Sequence, residues 1–142
     1  MVKKRYNPKY QDPGRRDKDP YYCYYASPLT LERARDAIID EVIIKRRFLE
    51  PDIRAREVAK IIGVSTRTFS AAMTTHFHTC FRDWINRYRC EYAMTILRDK
   101  RQKDLTMDDV IAQSGFNNRQ SFYKAFNRHI GIPPAKYRKV ES

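Results

Sequence analysis

Two stretches of the chain follow one pattern, and that pattern leaves little choice of fold. Each begins with a short apolar run that stops at a glycine: Val58, Ala59, Ile61 and Ile62 before Gly63, Val110 and Ile111 before Gly115. Each glycine is followed by a residue whose side-chain oxygen suits the start of a new helix, Ser65 in the first stretch and Asn117 in the second. Apolar residues then return at helical spacing. They are Phe69, Ala72 and Met73, with Phe77 as a further candidate, and Phe122, Ala125, Phe126 and Ile130. Gly63 matches Gly115, Phe69 matches Phe122 and Met73 matches Phe126, with one extra residue in the second turn. A short helix, a tight turn and a second helix make a helix-turn-helix, here present twice.

Off the buried stripes lie long polar side chains. Thr66, Arg67, Ser70, Ala71 and Thr74 are expected to face out from the first repeat, and Arg119, Gln120, Tyr123, Lys124 and Arg128 from the second. Gly131 ends the second repeat, and Pro133-Pro134 forbids its continuation. A helix of this kind fits the major groove of DNA. The formal charge of +12 also favours a polyanionic partner.

Between the repeats, Cys80 to about Lys100 has no Gly or Pro, and Phe81, Trp84, Ile85, Tyr88, Tyr92, Ala93, Ile96 and Leu97 keep one apolar face. About 20 residues of helix span roughly 30 Å. That is close to one turn of B-DNA, about 34 Å. A rod of this length can place two recognition helices in successive major grooves.

The stretch from about Leu31 to Arg138 resembles the C-terminal DNA-binding domain of AraC/XylS-type transcription regulators. Gly115-Phe116, Phe122, Phe126, Gly131, Pro134 and Tyr137-Arg138 carry the resemblance in the second repeat. Phe81, Ile85, Asn86-Arg87, Arg89, Glu91 and Ala93 carry it in the linker. It implies an all-α fold of about seven helices, with two helix-turn-helix subdomains joined by a long linker helix. It further implies a bacterial regulator that contacts RNA polymerase. Arg119, Gln120 and Lys124 match positions that read bases in the family, since Arg bonds guanine and Gln bonds adenine. Two departures stand out. His78 occupies the place of a closing glycine, so that turn needs an unusual left-handed residue or a different exit. Ala71 stands where the family often has Arg, which leaves base reading by the first repeat to Thr66, Arg67 and Ser70.

Further assignments are narrower. Ser65, Thr74, Asn117, Asn118 and Arg128 are candidates for phosphate contacts. Tyr123 suits groove contact or packing equally. Arg87 and Arg89 can position phosphates or pair internally with Asp83 or Glu91. Leu31 to Leu49 reads as one helix, capped by Ser27 or Thr30, with Leu31, Ala34, Ile38, Val42 and Phe48 on its apolar face and Ile39, Ile43 and Ile44 widening it. Thr106 and Asp109 form a capping-box arrangement before Val110. Residues 1–27 read as a basic arm rich in Tyr and Pro. Lys3, Lys4, Arg5, Lys9, Arg15, Arg16 and Lys18 outnumber Asp12, Asp17 and Asp19 there. The arm adds phosphate contacts, or is a solvated leader or linker remnant, or packs its tyrosines on the first helix. It is too short and polar for an effector-binding domain.

Cys23, Cys80 and Cys90 form no C-x-x-C, which favours free thiols in a reducing cytosol. One helix face cannot present all of His76, His78 and Cys80, so no metal is expected. No nucleophile-base-acid set, phosphate loop or apolar run near 18 residues is present, so neither catalysis, a cofactor nor a membrane span is expected. The expected partner is double-stranded DNA in the nucleoid, bound by one chain with both units or by chains paired through a separate region. The other readings are an architectural or mobile-element accessory DNA-binding protein, the output module of a larger regulator, or a helical partner-binding domain.

Overall fold

The computed structural model describes residues 26–141. The expected basic arm, its tyrosine cluster and Cys23 lie outside them, apart from Ala26 and Ser27. Among the described residues there are seven α-helices and no strand. They are α1 (Pro28–Ile38), α2 (Ala55–Ile62), α3 (Thr66–Ala72), α4 (Phe81–Arg98), α5 (Met107–Gln113), α6 (Arg119–Ile130) and α7 (Pro134–Glu141). The chain forms two compact units. Among the described residues, one holds 26–46 and Arg54–Arg82; the other holds Arg47–Ile53 and 83–141.

In the first unit, Ser27 caps α1 by accepting from the Thr30 amide at 3.1 Å, and Pro28 supplies a preset φ in the first turn. Leu31, Ala34, Ile38 and Val42 are buried at the expected spacing. The helix does not run on to Leu49. After Ile38 it widens into a π-helical turn, Ile39–Ile44, and stops where Arg46 takes a φ of 62°. A π turn holds more residues than an α turn, which rotates the residues beyond it off the original face. Ile44 is accordingly 67% exposed rather than part of the core. Phe48 is buried, but for another reason: it lies in the 3₁₀ turn Arg47–Leu49 of the second unit.

α3 packs against both α1 and α2. That two-sided packing buries Ala71, Ala72 and Met73 in succession. Ala71 was expected on the outer face and is instead fully buried, at 0% exposure. Its small side chain permits close helix approach. α3 then widens into the π turn Met73–Phe77, which ends at His78 with φ 58° and ψ 29°. Of the two exits open to a chain without a glycine there, the left-handed one is taken.

In the second unit, Cys90, Ala93, Ile96 and Leu97 of α4 pack with Val110, Ile111, Phe116, Phe122, Ala125, Phe126 and Tyr137. Phe122 meets Phe116 edge-on at 5.3 Å, and Phe126 meets Tyr137 at 5.9 Å. Each such side chain contributes about 1.5–3 kcal/mol by leaving water. α4 is slightly shorter than the expected Cys80–Lys100 helix, because Asp99 caps a separate 3₁₀ turn, Lys100–Gln102. Thr106 and Asp109 complete the capping box of α5, with the Thr106 hydroxyl accepting at 3.1 Å and the Asp109 carboxylate at 3.0 Å.

Arg47–Ile53 is a strap built into this unit. Phe48 lies against Tyr88 and Tyr92, with ring centroids at 6.1 and 6.2 Å. Arg89, only 8% exposed, donates from Nε to the Phe48 carbonyl at 2.6 Å and from Nη2 to the Glu50 carbonyl at 2.8 Å. Two of its guanidinium nitrogens are thus engaged by the backbone of the strap, a partner that was not expected for it. Arg87 does pair with Glu91, at 3.4 Å.

Candidate nucleic-acid interface

Each helix-turn-helix has its own closing chemistry. In the first, Gly63 adopts φ 80° at the end of α2, and the Ser65 hydroxyl accepts from the Thr68 amide at 3.0 Å. Thr66, Arg67 and Ser70 are exposed on α3, as expected, and Thr74 is half-buried in the π turn.

In the second, Gly115 adopts φ 89°. The cap of α6 is Asn118, not Asn117: its side-chain oxygen accepts from the Ser121 amide at 2.8 Å. The extra residue of this turn moves the cap one place along. Asn117 instead donates its side-chain amide to the Pro51 carbonyl of the strap, at 3.2 Å. Gly131 ends the helix at φ 94°.

Arg119, Gln120, Lys124 and Arg128 are exposed on α6, and Tyr123 is half-buried. The Tyr123 ring packs on Phe122 at 5.3 Å while the Arg119 guanidinium lies over it at 5.5 Å. The residue thus joins core and surface. Arg119 also forms an ion pair with Asp108 of α5 and donates toward the Tyr123 hydroxyl at 3.4 Å. Arg128 pairs with Asp83 at 2.8 Å, the carboxylate expected to serve Arg87 or Arg89.

The strap and Asp108 are parts of this region that sequence reasoning missed; Asp83 was expected to form an ion pair, but its partner is Arg128. Asp108 reads as a first-turn acid, and nothing in its spacing to Arg119 announces a pair. Among the described residues no group of His, Cys, Asp and Glu could hold a metal, and no helix is long and apolar enough to cross a membrane.

The pattern of a helix-turn-helix domain family matches residues 58–140, which takes in both repeats and α4. The chain belongs to the AraC-type helix-turn-helix family. This AraC-type chain is 30% identical over 117 residues to the transcriptional activator NphR of a Rhodococcus species, covering 80% of this chain and 32% of that protein. The chain thus spans about a third of the length of the curated relative it matches.

Among solved structures it resembles the C-terminal domain of AraT, a response regulator from Geobacillus stearothermophilus. The identity is 24% and the TM-score 0.64, over 80% of this chain and 86% of that one. It also resembles a protein of unknown function from Listeria innocua, with 26% identity, a TM-score of 0.63, and coverage of 74% and 98%. A third is the C-terminal domain of the two-component response regulator yesN from Fusobacterium nucleatum subsp. nucleatum, with 21% identity, a TM-score of 0.60, and coverage of 69% and 92%. The likeness to these structures is one of fold, all-α in this chain's described residues.

Proposed function

We propose that this chain is a sequence-specific DNA-binding transcription regulator of bacteria, or the DNA-binding part of one. It inserts α3 and α6 into successive major grooves of one duplex. The observation that carries the reading is the pair of capped helices, each following a glycine of positive φ and each presenting exposed polar side chains. Base edges are read by Thr66, Arg67 and Ser70 from α3 and by Arg119, Gln120, Tyr123 and Lys124 from α6. Ser65, Thr74, Asn117, Asn118 and Arg128 contact phosphates. The charge of +12 supports a duplex as partner.

The chain acts in the cytoplasm at the nucleoid and performs no catalysis. It contacts RNA polymerase once on DNA. Both units come from one chain, so one copy suffices for one site.

The test starts with selection of bound sites from random DNA. The preferred and a scrambled duplex are then titrated at two salt concentrations. Arg119→Ala is expected to cost about 1–3 kcal/mol at the preferred site and to relax preference at one base pair. Arg67→Ala is expected to do the same about one helical turn away. A phosphate contact instead weakens both duplexes alike and lowers the salt slope by about one. If Arg119→Ala weakens neither duplex, α6 does not dock and the proposal fails for the second unit.

A further inference from the structure

Asp108 occupies the second position of α5, in the first turn. In a helix-turn-helix the first helix crosses the DNA backbone while the second enters the groove. A carboxylate on that first helix repels phosphates, so its position needs a reason. Stability supplies only a small one: an acid in the first turn gains about 0.3–1 kcal/mol from the helix dipole, whichever partner it holds. Its side chain is 72% exposed and that of Arg119 59% exposed, and ion pairs of such exposure contribute little to folding.

The three groups together supply a better one. The Asp108 carboxylate holds one terminal nitrogen of Arg119, the other points to the Tyr123 hydroxyl, and the guanidinium plane lies over the Tyr123 ring. A long, rotamer-rich side chain is thereby held in one place before any DNA arrives. Ordering such a side chain at an interface otherwise costs binding. The same carboxylate competes with every phosphate that approaches Arg119.

We infer that Asp108 is a specificity-determining positioning residue. It aims Arg119 at a base edge and keeps that arginine from serving as a general phosphate anchor. The inference rests on the docking of α6 proposed above. Its signature is a separation of affinity from selectivity. Asp108→Asn removes a repelling charge and releases Arg119, so binding to scrambled DNA tightens while the ratio between preferred and scrambled duplexes falls.

The test is a double-mutant cycle on the full chain: Asp108→Asn, Arg119→Ala and the pair, titrated against both duplexes at two salt concentrations. Asp104→Asn, a neutralised acid that is exposed and outside both helices of the repeat, controls for net charge. Asp104→Asn is expected to tighten both duplexes alike and leave the ratio where it was. Asp108→Asn is expected to lower the ratio about five- to tenfold, within the discrimination that one arginine-to-guanine contact supplies. In the Arg119→Ala background, Asp108→Asn is expected to leave the ratio unchanged. Melting temperatures of all variants, read alongside, establish that they are folded.

An unchanged ratio for Asp108→Asn in the otherwise native chain overturns the inference. An equal fall in both backgrounds also overturns it, since Asp108 would then act on DNA without Arg119. In both cases a loss of selectivity in Arg119→Ala alone leaves the docking of α6 intact. If Arg119→Ala changes neither duplex, the docking itself is wrong and the inference falls with it.

Discussion

Arg89 and Gly115 approach so closely that no side chain fits between them. A Cβ at position 115 would lie 3.0 Å from Arg89 Nε and 2.9 Å from the Leu49 Cα. The turn of the second helix-turn-helix therefore rests directly on the strap and on the arginine that holds the strap in place. Gly115 also has a φ of 89°, so two independent constraints meet at one residue.

Gly115→Ala should then cost more than a left-handed glycine normally does. The conformation alone costs roughly 1–2 kcal/mol for a residue with a Cβ. Overpacking against backbone adds about 1–3 kcal/mol. Gly131 provides the comparison, because it has a φ of 94° and nothing within 4 Å of a built Cβ. Urea denaturation should give Gly131→Ala the conformational cost only and Gly115→Ala clearly more. Equal losses would mean that the close approach to the strap is unimportant.

The two adjacent asparagines should separate just as clearly. Asn118→Ala removes the cap of α6 and should cost about 1 kcal/mol, as should Ser65→Ala at the start of α3. Asn117→Ala removes one exposed hydrogen bond to Pro51 and should cost no more than about 0.5 kcal/mol. Matching losses at 117 and 118 in thermal or chemical unfolding would argue against the cap at 118.

Those asparagines mark the limit of what could be read from the chain alone. Helix types, the repeat and the buried stripe of α6 were legible, because Phe122, Ala125 and Phe126 obey a local period. The cap was not, because two neighbouring residues can both cap, and the choice depends on where Pro51 lies. Ala71 was misplaced for a similar reason. A helix packed from two sides buries a face wider than one stripe, and sequence spacing does not count neighbours. Phe48 fits the period of α1 by coincidence and serves a different core. The pairs Arg119–Asp108 and Arg128–Asp83 are exposed ion pairs, 11 and 45 residues apart, with no periodic signal to reveal them.

His78→Gly should stabilise the protein. His78 closes the first unit at φ 58°, a conformation that costs a residue with a Cβ roughly 1–2 kcal/mol. Glycine removes that cost but loses about 0.5–1 kcal/mol of chain entropy on folding. A net gain of up to about 1.5 kcal/mol is expected, read as a higher melting temperature. A lower one would show that the imidazole contributes more than its backbone costs.

Cys90 should resist alkylation while the protein is folded. Burial pushes its thiol up to about 12, and the thiolate is the reactive form. Cys80 is exposed and should react first, as peptide mass mapping after iodoacetamide would register. The same shift makes stability depend on pH. The folded state holds the Cys90 proton more tightly than the unfolded chain does, so this contribution is complete below about pH 9 and fades as pH rises toward 12. Labelling of Cys90 at the rate of Cys80 near pH 8 would contradict its burial.

The strap has a consequence for heredity. Arg47–Ile53 belongs to the second unit, yet residues of the first unit precede and follow it. No single crossover in the gene can therefore deliver one complete unit and leave the other behind. A breakpoint after Arg82 would hand on α4 from Asp83 onward, and α5 to α7, with a foreign strap, whose carbonyls would have to meet Arg89 and whose backbone would have to clear Gly115. The two helix-turn-helices are inherited as a linked pair. New recognition is reached more readily by replacing side chains on α3 and α6 than by trading halves.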